Sequence, residues 1–131
     1  MRPIAVRAFT LTPLLIACCV GSSLGAIHVL LPDGSGDFPT IRQALVAADS
    51  ADVILLADGT YSGDENHNLD FLGKPLTLRS QSGNRESCII DCSSGDGDPE
   101  TVRRGFEFHT YEDTTSVVRD ITIANGSAGG T

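Results

Sequence analysis

The 131-residue sequence contains no tryptophan, one methionine, five phenylalanines and two tyrosines. A core of bulky aromatic packing is therefore excluded. What is buried has to be built from Ile, Leu and Val, which suits thin stacked layers. Positive charge is also scarce, with nine Lys and Arg against seventeen Asp and Glu and a formal net charge of −8. Arg103 and Arg104 are the only adjacent basic pair. That balance argues against nucleic acid and anionic membrane surfaces as partners. Long apolar runs are missing too: the longest, Ala8 to Val20, is broken by Thr10, Thr12 and Pro13 and is too short to span a bilayer comfortably. His28, His67 and His109 lack the spacing of a zinc site, and are expected to be structural or exposed. The serines lack a nucleophile-elbow context, and no phosphate-binding glycine loop is present.

The first residues read as an address. Arg2 and Arg7 precede the apolar run, and Gly21, Ser22, Ser23, Gly25 and Ala26 follow it. This is the three-part pattern of a secretory signal peptide over residues 1–25, with small residues at Ser23 and Gly25 placing the cut before Ala26. Leu15-Ile16-Ala17-Cys18 also resembles a lipobox, which would leave a lipid anchor on Cys18; the site at Gly25 is preferred because it is equally well formed. The mature chain over residues 26–131 then keeps seven basic and seventeen acidic residues, a net charge of −10. It is expected to be secreted or held at the cell surface, as a single domain.

Pro32 to Tyr61 carries most of the architectural information. Asp33-Gly34-Ser35-Gly36-Asp37 is a dense cluster of turn formers. Thr40 followed by Gln43 is a capping-box signature, and Ile41, Ala44, Leu45 and Ala48 share one helical face. Val53 to Ala57 is a solidly apolar strand, and Asp58 to Tyr61 reads as a turn. Further strands are expected at Ile27–Leu31, Asn68–Leu72, Leu76–Arg79, Cys88–Asp91, Arg104–His109 and Val117–Ala124. Ile54, Leu76 and Ile121 begin similar apolar pieces, the second interval being about twice the first, as a coil of a little over twenty residues would give. The absence of a second helical pattern argues against alternating βαβ units, while an antiparallel sandwich stays open as the structural alternative.

The DGSGDFPTIRQAL opening, the apolar strand and DGTY together resemble the start of right-handed parallel β-helix proteins of the pectin-lyase-like superfamily. The opening is similar to that of pectin methylesterases, and LGKPLTLRSQSG and VVRDITIANG resemble inner strands and turns of such coils. The resemblance implies an all-β fold: a right-handed parallel β-helix with a short N-terminal capping helix, of which this chain holds the cap and first few coils before stopping in mid-turn. It implies an exported module of an extracellular or cell-surface protein, non-catalytic in the part present and contacting polysaccharide. The alternative is the N-terminal part of a carbohydrate-active enzyme of polysaccharide lyase, pectin esterase or glycoside hydrolase type, with its active site on later coils. Where the esterases carry Gly-x-Tyr-x-Glu, Gly59 and Tyr61 match but Gly63 replaces the glutamate, so Tyr61 is expected to be a packing residue.

Other chemistry is sparse. Asp91, Asp96 and Asp98 lie close together on a Gly-rich loop whose hard oxygens suit Ca²⁺, although EF-hand spacing and its closing glutamate are absent, with Val102 in that place. No other cofactor is indicated. Cys88 and Cys92 are four residues apart, about 13 Å along an extended strand, so a disulfide requires a turn at Asp91; bond and free thiols both stay open. Asn125 follows a strand at a turn, where the β-helix resemblance implies that its side chain satisfies backbone groups.

Overall fold

The computed structural model describes residues 24–93 and 101–128. The N-terminal residues expected to form a signal peptide, up to Ser23 and including Cys18, and the acidic segment carrying Asp96 and Asp98 lie outside them. Nine short strands and one α-helix make up the fold: β1 (Ile27–Leu30), α1 (Ile41–Ala47), β2 (Val53–Leu56), β3 (Gly59–Tyr61), β4 (Leu69–Asp70), β5 (Thr77–Ser80), β6 (Cys88–Asp91), β7 (Phe106–Glu107), β8 (Val117–Arg119) and β9 (Thr122–Ala124). A 3-10 turn covers Asp64–Asn66. The strands form three parallel sheets, ordered β1-β2-β5-β8, β3-β6-β9 and β4-β7. All six strand pairings among the described residues are parallel, with a lone antiparallel bridge between Arg103 and Ser127, which is inconsistent with the antiparallel sandwich. Among the described residues no helix is long and apolar enough to cross a membrane.

The alternation visible in the sequence sets which side of each strand is buried. In β2 and β5, Ile54, Leu56, Leu78 and Ser80 point inward while Val53, Leu55, Thr77 and Arg79 are half-buried. Register then stacks like on like: Ile54 pairs with Leu78 and Leu78 with Val118, Leu30 with Leu56 and Leu56 with Ser80. Three details differ from the sequence reading. The DGTY segment is strand β3, because Gly59 at φ 139° turns the corner and frees Thr60 and Tyr61 to pair with Ile89 and Ile90. Val117–Ala124 is two strands in different sheets, split at Asp120, whose φ of 60° bends the chain. The repeat aligns Ile54 with Leu78 and Val118 instead of with Leu76 and Ile121; unequal connections between the strands break the fixed period that periodicity reading assumes.

The helix forms where the capping signature lies. Thr40, in extended conformation, accepts the Gln43 N–H at 3.2 Å, and Asn66 from the 3-10 turn accepts the Ile41 N–H at 2.8 Å. Ile41, Ala44, Leu45 and Ala48 are all buried, as their spacing predicts. Arg42 reaches Glu65 and the His67 carbonyl, each at 2.9 Å, and so fastens the exposed side of α1. At the other end sits Lys74, the only lysine of the sequence. Its ammonium donates to the carbonyls of Leu45, Val46 and Ala48 at 2.9, 2.9 and 2.7 Å. These carbonyls have no intrahelical partner, and the negative end of the helix dipole attracts the charge.

Burial falls off along the stack. Leu30, Ile41, Leu45, Ile54 and Leu78 are at most 1 % exposed, whereas Val118 and Ile121 are only partly buried and Ile123 is 47 % exposed. On the far side β7, β8 and β9 have no further strand among the described residues. Lys74→Met should remove the three carbonyl bonds while keeping much of the side chain's volume. Chemical denaturation should show it less stable by about 2 kcal/mol, with an unchanged slope.

Candidate functional site

Among the three aspartates proposed for Ca²⁺, only Asp91 lies within the described residues. It closes β6, and its Oδ1 accepts the Ser93 N–H at 2.9 Å and the Asn125 amide at 2.8 Å. Those bonds, the Asn125 one foremost, hold its carboxyl below the ordinary range. Asn125 has a φ of 57°, so it turns the corner expected of it while tying one turn of chain to the previous one. Tyr61 is 2 % exposed, and its hydroxyl lies 2.9 Å from the Leu30 carbonyl and 2.8 Å from that of Ala57. Burial pushes the phenol's pKa upward, and the residue is the packing element that the sequence predicts.

Cys88 and Cys92 are free, fully buried thiols. The strand stays extended through Asp91, so Cys88, Ile90 and Cys92 are all buried along one side and cannot bridge. Burial pushes the Cys88 thiol up to about 11 and raises Cys92 as well, which makes both poor nucleophiles. His28 is hydrogen-bonded to Asp52 at 3.0 Å. His67 is 5 % exposed, and its nearest charged partner is Asp64 at 3.8 Å.

A different constellation stands out where the third sheet ends. The β4–β7 register pairs Leu69 with Phe106 and Asp70 with Glu107, which sets the segments after these strands side by side. Phe71 is fully buried and forms edge-on contacts with Phe106 and Phe108, at 6.1 and 5.4 Å between ring centres. Phe106 and Phe108 stack at 6.1 Å and 19°. Phe108 is therefore fixed from below although 52 % exposed. Beside it Asp70 lies 3.3 Å from the His109 Nε2, and the Thr110 hydroxyl is 3.1 Å from His109 Nδ1.

Glu112 shapes this loop. Its two carboxylate oxygens accept the N–H groups of Gly73 at 3.0 Å and Thr110 at 2.6 Å. Gly73 is obligatory there: its φ is 74°, and a Cβ would fall 2.5 Å from the Thr110 carbonyl. By drawing the Thr110 N–H back, Glu112 leaves the intervening Tyr111 at φ 64° and 97 % exposed. A tyrosine in the left-handed region costs about 1–2 kcal/mol, and strain of that kind gathers at functional sites. Desolvation pushes the Glu112 carboxyl up, but the backbone bonds outweigh it and hold the group at about 2.

All four carboxylate oxygens of Asp70 and Glu112 face donors of the chain itself, Asp70 Oδ1 taking the Leu72 N–H at 2.7 Å. Among the described residues no group of three or more His, Cys, Asp or Glu is arranged to hold a metal. The cluster thus offers a rigid aromatic and hydroxyl surface rimmed by acid. Sequence reading missed it because its two halves are some forty residues apart in the chain and meet only through sheet register. Comparison with protein families, with curated proteins and with solved structures found no match to this chain.

Glu112 has a depressed pKa, so its contribution to stability is complete above its ordinary pKa near 4.5 and is lost as pH falls towards about 2. Glu112→Gln should therefore be less stable than the parent at pH 7, with the two unfolding curves converging near pH 2. Denaturant titrations across that range measure the difference.

Proposed function

We propose that this chain is the N-terminal part of an exported right-handed parallel β-helix, a module of a secreted or cell-surface protein that contacts polysaccharide through Phe108 and Tyr111. The single observation that carries the binding role is that one short loop exposes two aromatic residues, the strained Tyr111 and, three residues before it, the buttressed Phe108. A ring held by its neighbours and wet on one side, as Phe108 is, suits the apolar face of a sugar ring, and the exposed Tyr111 offers a second ring, while His109, Thr110 and Asp70 supply polar groups on the same loop.

The coil reading is supported by strand order. The chain passes through the three sheets in the same sequence, β2-β3-β4 then β5-β6-β7, and returns to the first two with β8 and β9. In such a coil α1 is the cap that covers the first turn, and the partly buried Val118 and Ile121 face the position of a following coil. The similarity of the Pro32–Tyr61 segment to pectin-lyase-like openings points the same way.

Charge narrows the ligand to a neutral polysaccharide. The mature chain carries a net charge of −10, and the carboxylates of Asp70 and Glu112 anchor the loop that bears Phe108 and Tyr111. A polyuronate would meet like charge at every sugar. Because Asp70 and Glu112 are already occupied by backbone and side-chain donors, a binding role suits them better than acid–base catalysis.

Affinity electrophoresis through gels containing neutral glucans, mannans or xylans, against a polygalacturonate gel, tests this reading. Retardation by a neutral polymer is expected, weakened about fivefold by Phe108→Ala or Tyr111→Ala, the equivalent of about 1 kcal/mol for one stacked ring. Retardation by none of the polymers, or an effect unchanged in both variants, overturns the proposal. Tyr111→Gly should lose binding in the same way while gaining up to about 1 kcal/mol of stability, since glycine adopts the left-handed conformation without strain.

A further inference from the structure

The N-terminal edge of the first sheet holds a second cluster that the polysaccharide surface does not involve. Ala26, just before β1, is fixed through both backbone atoms: its carbonyl accepts the Val53 N–H at 2.8 Å and its nitrogen donates to Asp52 Oδ1 at 2.7 Å. Asp52 is 6 % exposed. Its other oxygen accepts from the Asp49 N–H at 2.9 Å and meets His28 Nε2 at 3.0 Å. His28 is packed edge-on against Phe38, 5.3 Å between ring centres. A cleft of about 370 Å³ opens beside this group, with Leu24, Gly25, Asp49 and Ser50 among its walls. Gly25 lies so tightly against the next turn that a Cβ would fall 1.7 Å from the Ala51 carbonyl, whereas Leu24 is 89 % exposed.

The nitrogen facing Asp52 belongs to the residue that the signal-peptide pattern makes the first of the mature chain. We propose that cleavage between Gly25 and Ala26 turns this nitrogen into an α-ammonium that pairs with Asp52, so that loss of the leader completes a His28–Asp52–ammonium cluster locking β1 in place. The step is a peptide-bond hydrolysis by a leader peptidase. Water adds across the Gly25–Ala26 amide, the acyl half leaves as the Gly25 carboxylate, and the nitrogen departs as an ammonium. A neutral N–H donor to a nearly buried carboxylate is thereby replaced by a full positive charge at the same position. Charge-assisted bonds of this kind are about twice as strong as neutral ones, and a buried carboxylate is far better tolerated with a paired cation. The tight seat of Gly25 is vacated at the same time, and the ammonium faces Asp52, with His28 and Asp49 the other titratable residues lining the cleft.

The inference rests on the export part of the proposed function and is independent of polysaccharide binding. The full chain is expressed in a secreting host, and the exported product is identified by intact mass and N-terminal sequencing. That product has only two primary amines, at Ala26 and at Lys74, so acylation of each is followed separately by mass spectrometry. An ordinary α-amine titrates near 7.7–8.0, and a rise of one unit slows its acylation at pH 7 about tenfold. The expected result is a product beginning at Ala26, with its α-amine at least about tenfold less reactive folded than in urea, and Asp52→Asn abolishing that protection. Should Asp52→Asn not fold, the pH profile of Ala26 acylation in the folded parent decides: its midpoint should lie at least about one unit above the ordinary α-amine range, as pairing with a carboxylate requires. A product that starts elsewhere, or retention of the leader, overturns the cleavage and with it the export reading. A product starting at Ala26 whose amine is equally reactive folded and unfolded overturns the ion pair alone. Unchanged protection in a folded Asp52→Asn variant, or a folded-state acylation midpoint within the ordinary α-amine range, does the same.

Discussion

Everything in this fold depends on parallel pairing between short strands that lie far apart in the chain. Each strand is two to four residues long, far too short to be stable alone, and has most of its backbone groups satisfied by strands distant in sequence. That requirement fixes which residues face inward, since a slip of one position would turn Ile54, Leu56, Leu78 and Ile90 outward together. It also forces sharp corners. Asn68, Leu72, Gly73, Asp120 and Asn125 all take positive φ between or after strands, in several cases with Asx-type bonds such as Asp70 to the Leu72 N–H.

Polar side chains then stitch the turns together where the ladders stop. The Tyr61 hydroxyl reaches back to Leu30, the Asn125 amide to Asp91, the Thr122 hydroxyl to the Arg85 carbonyl and Ser82 to Asp58. Lys74 and Asn66 do the same for the helix, one at each end. Even the buried Ser80 is accommodated, its oxygen accepting the Gly83 N–H at 3.1 Å and lying 3.2 Å from the Ser82 hydroxyl. Hydrophobic columns supply cohesion, and these polar ties supply the register.

The aromatic surface and the Ala26–Asp52 contact are two products of the same geometry. Pairing β4 with β7 carries Phe108 over Phe71 and brings Glu112 to Gly73, and the strain at Tyr111 follows from that closure. Pairing β1 with β2 carries Ala26 to Asp52. In each place a carboxylate is surrounded by backbone N–H groups, which keeps it ionised and orders the loop around it.

Local chemistry is legible in the sequence by itself. Thr40 and Gln43 announce a cap, Ile41, Ala44, Leu45 and Ala48 a buried face, and Val53 to Ala57 a buried parallel strand. Asn125 at a turn also follows from its neighbours, where propensity acts directly, whereas Tyr61 as packing is expected only from the family resemblance, through the glutamate missing at Gly63. Contacts across turns are not legible there. The Ile54–Leu78–Val118 column, the strand at Gly59–Tyr61, the free thiols of Cys88 and Cys92, and the meeting of Asp70 with His109 all depend on the lengths and bends of the intervening connections. Those lengths vary from turn to turn, so no fixed period in the chain encodes them. Only hydrogen bonding between turns selects the register, and with it the residues that come to share a surface.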